Sequence, residues 1–325
     1  MTFPASPRIV SLLPAATEIV GALGLLDSLV GVSHECDFPD EANSKPRVTH
    51  CALHEEQQRR DVPSAEVDRW VRETLASTGT LYTLDEPLLR ALRPDLILTQ
   101  KLCDVCAVGY GSVAKMAAQL SGPPRVVNLE PSCLSDVFAN IALVAQVAGV
   151  PQRGEDVVRR LRARVRDVHE RIAKTTHRPK CYLMEWVDPP YCAGHWNPEL
   201  VQIAGGEEIF GRFGARSTPV AWDEVRRARP EVLVLALCGW SVERAVREEP
   251  LLQLYEGWHD LPAVQNGQVF AVDGSAWFSR PGPRLIESLE LLAGLLHPEL
   301  FPDFSLQTWR PEQVARIETR VAVAR

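Results

Sequence analysis

The chain has no basic excess: 35 Lys and Arg stand against 42 Asp and Glu, and the resulting net charge of -7 removes the electrostatic footprint that a nucleic-acid binder needs. It has no apolar run long and charge-free enough to cross a membrane. Its first twenty residues, MTFPASPRIVSLLPAATEIV, lack the basic start, the unbroken apolar stretch and the small-residue cleavage site of a secretory signal, because Pro14 and Glu18 interrupt the run. A cytoplasmic location is the expectation, with a periplasmic or extracellular one only if a leader is missing from this sequence. Neither a Walker loop nor a GxGxxG motif occurs, which argues against a nucleotide cofactor. Eight cysteines in 325 residues read as thiols or ligands rather than as a disulfide framework. What is there, 46% hydrophobic and 24% charged, is ample for a packed core.

The stretch Gln152 to Ala173, QRGEDVVRRLRARVRDVHERIA, predicts one long helix. Pro151 stands where a first turn tolerates proline, and Val157, Leu161, Val165, Val168 and Ile172 recur at spacings of three and four. So thin an apolar stripe suits a strut better than a core helix. The sequence on its two sides repeats a phrase. DEPLLRALRPDLILTQKLC (Asp85 to Cys103) and WDEVRRARPEVLVLALC (Trp222 to Cys238) each read as a short helix, an Arg-Pro break with an acid behind it, a buried strand and a cysteine. The fold class is therefore α/β: two similar α/β lobes with central sheets, joined by one long interlobe helix, with a ligand cleft between the lobes. Residues 1-150 make the N-terminal lobe, 151-174 the interlobe helix, 175-304 the C-terminal lobe and 305-325 a tail with a short amphipathic helix.

Strands are expected at Arg8–Leu13, Leu29–Val32, Asp95–Thr99, Arg125–Leu129, Lys180–Met184 and Val269–Val272, and within the Trp222 to Cys238 phrase, whereas Pro39 to Pro63 reads as an irregular surface excursion. Unusual residues follow the carboxyl ends of these strands: Ser11 to Thr17, His34 to Cys36, Cys103 to Tyr110, Glu185 to Trp196, Cys238 to Trp240 and Asp273 to Arg280. Ligands of open α/β sheets bind at that edge.

The opening RIVSLLPAATEIVGALGLLDSLVGVS, the LRPDLIL phrase and RPGPRLIESLELLAGLLHPE resemble the periplasmic-binding family for iron chelates and vitamin B12, the ABC substrate-binding proteins with a helical backbone. The resemblance covers about Arg8 to Phe301. Within that family HECD, CDVCA, the GHW loop and FSRPGPR are similar to proteins described as cobalamin-binding. The resemblance implies a monomeric binding protein, not an enzyme, that holds cobalamin, a related corrinoid or another metal chelate between its lobes and partners an ABC permease.

The candidate ligand-binding residues are Ser11, His34, Tyr110, Glu185, Trp186, His195, Trp196, Trp240, Trp277, Phe278 and Arg280. The four tryptophans offer faces for a flat ligand, and the two histidines offer imidazoles for cobalt, iron or zinc. Glu185 reads as a ligand, an acid-base group or a salt-bridge partner of Arg280, and Arg280 as a clasp for a carboxylate or amide. No catalytic residue is identified, and Ser11 has no base beside it. Cys103 and Cys106 form a CxxC; with Cys36 and Cys238 they make a candidate set for an iron-sulfur cluster or zinc, against the alternatives of structural thiols or redox chemistry. That set supports a second reading, a cytoplasmic metalloprotein or enzyme on the same fold.

Overall fold

A computed structural model describes residues 7–52, 62–100, 110–120 and 122–318. The chain divides into two units, residues 1–59, 67–131 and 135–161 in the first and 60–66, 132–134 and 162–325 in the second. In the first unit four strands, β1 (Ile9–Ser11), β2 (Leu29–Val32), β5 (Leu96–Thr99) and β6 (Arg125–Asn128), form a parallel sheet in the order β2-β1-β5-β6. Between β2 and β5 lies an antiparallel pair, β3 (Thr49–Cys51) with β4 (Tyr82–Leu84). In the second unit β7 (Lys180–Met184), β8 (Glu207–Glu208), β9 (Val232–Leu235) and β10 (Val269–Val272) are parallel in the order β8-β7-β9-β10, and β11 (Val314–Arg316) adds antiparallel to β10.

Counted within each unit, both parallel sheets have the strand order 2-1-3-4. The repeated phrase supplies the corresponding third strands, β5 and β9, and all four residues of each are buried, as continuous aliphatic runs covered on both faces require. Arg93 and Arg229 end the preceding helices, Glu86–Leu92 and Trp222–Ala228, in the left-handed region at φ 42° and 53°. The prolines behind them cannot continue a helix. The acid that follows each proline then reaches across to the first strand. Asp95 Oδ2 accepts from the Arg8 amide at 2.8 Å and Glu231 Oε2 from the Lys180 amide at 2.9 Å. Each is a charge-assisted bond to backbone.

The long helix runs Pro151–Ile172, and the boundary between the units falls inside it, at Leu161/Arg162. Val157, Leu161, Val168 and Ile172 are buried, as its stripe predicts. Gly154 permits close packing on the helix Leu134–Val147, since a Cβ there would lie 2.5 Å from the Ala145 Cβ, and Arg153 donates to the carbonyls of Leu23 and Gly24. In the second unit Arg164 holds Glu287 and Glu290 of the helix Leu285–Leu296 at 2.9 and 2.6 Å, and Arg171 pairs with Asp303 and donates to the Leu300 carbonyl at 2.7 Å.

Two expectations are corrected here. The excursion from Pro39 is not wholly irregular: Asp40–Ser44 is a short helical turn, Arg47 bridges to Val32, and β3 pairs with β4 in the register Thr49↔Leu84; residues 53–61 of it lie outside the described part. Three-residue strands are too short to display an alternation, and β3 finds its partner about thirty residues along the chain. The tail, expected to carry a short helix, has a three-residue helical turn, Leu306–Thr308, and also gives β11, its Val314 and Ile317 buried. An edge open beside β10 decides that pairing, not local propensity.

Candidate functional site

Because β1, β2, β5 and β6 run parallel in one sheet and β7 to β10 in the other, the unusual loops of each unit gather at one edge. The strand order reverses between β1 and β5 and between β7 and β9, which makes these the switch points where an open sheet leaves a crevice. The backbone bonds continue past the strands there: Leu12 N to Leu98 O, Ala236 N to Met184 O and Cys238 N to Glu185 O, at 2.9, 2.9 and 3.1 Å.

In the first unit this edge carries a knot of small polar groups. Ser11 and Cys36 are fully buried. Thr17 Oγ1 lies 2.8 Å from Ser11 Oγ and 3.1 Å from Cys36 Sγ, and Ser33 Oγ is also 3.1 Å from that sulfur. The knot ties β1, the helix Pro14–Ala22 and the loop after β2 together, and the Arg47 guanidinium braces that loop through the carbonyls of Ser33 and Cys36. Ser11 and Cys36 are thus placed as internal links rather than on an accessible rim. His34 is held by Thr49, whose Oγ1 meets both the His34 amide (3.0 Å) and Nδ1 (2.8 Å), and its ring tilts against Tyr82 at 5.3 Å. Cys103 and Cys106 lie outside the described residues, as does the side chain of Tyr110, which opens the helix Tyr110–Ala117.

In the second unit a carboxylate organises the edge. Glu185, directly after β7, accepts on Oε1 from the Gly194 amide and from Asn197 Nδ2, both at 2.8 Å, so the loop takes up this oxygen. Burial raises its pKa, and the hydrogen bonds from Asn197, Gly194 and Ser217 pull it partly back. Glu208 on β8 is a second buried carboxylate. It accepts from the amides of Phe210 and Gly211, and burial, with the nearby Glu185 charge adding, raises its pKa to about 7. The segment 190–195 is stitched to 214–220 through Cys192 N to Thr218 O, Gly214 N to His195 O and Val220 N to Pro190 O.

The four tryptophans separate into two roles. Trp196, 5% exposed, donates from Nε1 to the Phe278 carbonyl at 2.9 Å, and Trp277, 6% exposed, packs edge-on against Trp309. With Phe278, at 1%, these rings are internal and fix the loop after β10. That loop forms one wide helical turn, Gly274–Phe278, closed by Ser279 N to Gly274 O at 2.8 Å, of the kind found often at functional sites. Arg280 behind it is buried as well. Trp186 is the partly exposed one. It packs on Trp240 at 4.8 Å with the planes 56° apart, and the Arg244 guanidinium sits 4.0 Å over the other ring of the pair, Trp240. Cys238, next to them, is exposed. Sequence reasoning missed Arg244, though it stands four residues after Trp240, on a helix capped by Ser241, and it missed Glu208, for which the sequence offers no signal.

Among the described residues no cluster of His, Cys, Asp and Glu is able to hold a metal ion. Cys36 is sealed in the first unit and Cys238 is exposed in the second, so the expected cysteine set gains no support from the two members that are described. No described helix is long and apolar enough to cross a membrane.

Comparison with known proteins completes the picture. The chain is 26% identical over 292 residues to the vitamin B12-binding protein of Vibrio cholerae serotype O1, covering 89% of this chain and 88% of that one. It is 22% identical over 307 residues to an uncharacterized ABC transporter substrate-binding lipoprotein of Bacillus subtilis, covering 91% and 82%. The crystal structure of the periplasmic vitamin B12 binding protein of Vibrio cholerae superposes with a TM-score of 0.67 at 24% identity, over 91% of this chain and 98% of that one. A periplasmic heme-binding protein from Roseiflexus sp. RS-1 superposes with the same score at 22% identity, over 91% and 100%. These likenesses fix the fold as that of the two-lobed α/β binding proteins. They also overturn the expectation of a cytoplasmic location, since the relatives are periplasmic proteins or a lipoprotein. The model of the periplasmic binding protein family matches residues 9–276, and the chain belongs to that family.

Proposed function

We propose that this chain is the substrate-binding protein of an ABC importer and that its ligand is cobalamin or a related corrinoid. The names of its relatives support that ligand class, and one observation carries the reading: the Trp186–Trp240–Arg244 cluster at the carboxyl edge of the second unit, beside its switch point. A macrocycle with a broad π-face and amide edges gains from an aromatic platform, and an arginine set over the Trp240 ring polarises that platform. Glu185 holds the Gly194–Asn197 loop and the buried Trp196 and Trp277 hold the loop after β10, so both flanks of the platform are set before ligand arrives. The permease is the receiving partner in this reading. Adding cobalamin is expected to quench tryptophan emission strongly, and Trp186→Ala is expected to remove most of the quench together with most of the affinity. No quench at saturating cobalamin removes the corrinoid assignment.

A further inference from the structure

The last described stretch of the chain arrives at the edge that carries the candidate site. β11 runs antiparallel to β10 with Val272 opposite Val314, so the residues just ahead of Val314 are delivered to the carboxyl end of β10, among the loops gathered there. The pairing continues one step past β10, where the Asp273 amide donates to the Gln313 carbonyl at 3.1 Å. A tight turn precedes it: the Gln313 amide donates to the Arg310 carbonyl at 2.8 Å, and the Arg310 amide to Gln313 Oε1 at 2.9 Å.

The root of this tail is fixed as well. The Arg171 guanidinium lies over the rings of Phe301, at 4.1 Å, and Phe304, at 5.3 Å, and the Phe304 carbonyl is pressed onto Gly294, where a Cβ has no room. That same carbonyl accepts from Trp309 Nε1 at 2.9 Å. The indole is thereby held edge-on to Trp277, with centroids 5.2 Å apart and planes 75° apart, and the Ser288 hydroxyl donates to the Trp277 carbonyl at 2.9 Å. From the same wide turn, Gly274–Phe278, the Ser275 amide donates to the Trp240 carbonyl at 3.1 Å. β11 in turn packs against Val242–Val246, the helix that carries Arg244. The tail thus grips the Trp186–Trp240–Arg244 cluster twice, through the turn that holds Trp277 and through the helix of Arg244.

We propose that Trp309 is a positioning residue of the candidate site: acting through Trp277 and the Gly274–Phe278 turn, it fixes where the Trp240 ring stands and so sets the affinity for a flat ligand, an inference that rests on the function proposed above. Rings that meet edge to face prefer a defined geometry, so this contact transmits position as well as burying area. A platform ring fixed beforehand needs no ordering when the ligand arrives.

Two measurements on the full chain test this, one of them without ligand. Hydrogen–deuterium exchange of the free protein is expected to quicken about tenfold in Trp309→Ala at residues 273–279 and also at 239–244, the far end of the path. Equilibrium dialysis against cyanocobalamin is expected to show Kd rising roughly tenfold, the size of one aromatic pair. Trp309→Phe keeps an edge-on ring and is expected to bring both readouts back to within about threefold of the parent. A merely structural tryptophan lowers the melting temperature and quickens exchange at 273–279 alone, with Kd unchanged; that outcome overturns the proposal and leaves the corrinoid reading standing. If the parent chain binds no cyanocobalamin, the corrinoid reading falls and exchange at 239–244 decides the positioning role by itself. Should Trp309→Ala fail to fold, Trp309→Leu, which keeps apolar bulk without a ring, carries the same comparison.

Discussion

The two units share a scaffold and differ at the edge where ligands bind. Each sheet has the order 2-1-3-4, each third strand follows a left-handed arginine and a proline, and each acid behind that proline caps the first strand. Yet the first unit closes its edge with a buried knot of Ser11, Thr17, Ser33 and Cys36, while the second builds its edge from a buried carboxylate, a tilted pair of tryptophans and a partly exposed histidine. The shared parts are backbone requirements, which a few residue types meet wherever this topology occurs. The divergent parts are side chains on loops, which the scaffold positions but does not dictate.

The comparison is broken most severely at Gly274. A Cβ there runs into the Leu237 carbonyl oxygen, so Gly274→Ala forces the loop after β10 away from the loop after β9. A loss of about 3 kcal/mol is expected, read by urea unfolding, together with a changed near-ultraviolet signal from Trp240 and Trp277.

Next in size is Glu208. Its pKa of about 7 in the folded chain lies above the ordinary 4.5, so ionisation costs the folded state. The stability it permits is full below the unfolded pKa, declines as pH rises between the two values and is flat above. Glu208→Gln keeps an acceptor for the amides of Phe210 and Gly211 and cannot ionise. It is expected to be more stable than the parent by about 2 kcal/mol above about pH 8 and to match it near pH 4; equal melting curves at both pH values break the assignment of a costly buried charge.

The smallest effect sharpens the equivalence itself. Asp95→Ala and Glu231→Ala each remove one bond to the first strand's amide, at an expected cost of about 1 kcal/mol. Chemical denaturation should give two values within about 0.5 kcal/mol of each other, and a clear inequality means that the repeated acids do different work in the two units.

Much of the scaffold was legible because it rests on local physics. Aliphatic runs such as Leu96–Thr99 and Val232–Leu235 cannot be solvated, Arg-Pro ends a helix in any context, and the stripe from Val157 to Ile172 has only one period. From these the two α/β lobes, the long helix and the edge that gathers the loops all follow, as does the family resemblance that the comparisons confirm. The sequence by itself did not say which residues at that edge face inward. Four loop tryptophans look alike in a row of letters, but three are buried by contacts with residues distant in the chain, Trp196 with Phe278 and Trp277 with Trp309 among them. Cys36 reads as a ligand until Thr17 and Ser33 are seen around its sulfur, and Glu208 has no mark at all until burial raises its pKa. The short strands β3, β4 and β11 were likewise decided by the partners available to them. Periodicity and chain stiffness are encoded within a few residues, whereas burial, charge state and the direction of a side chain are set by atoms that only folding brings close.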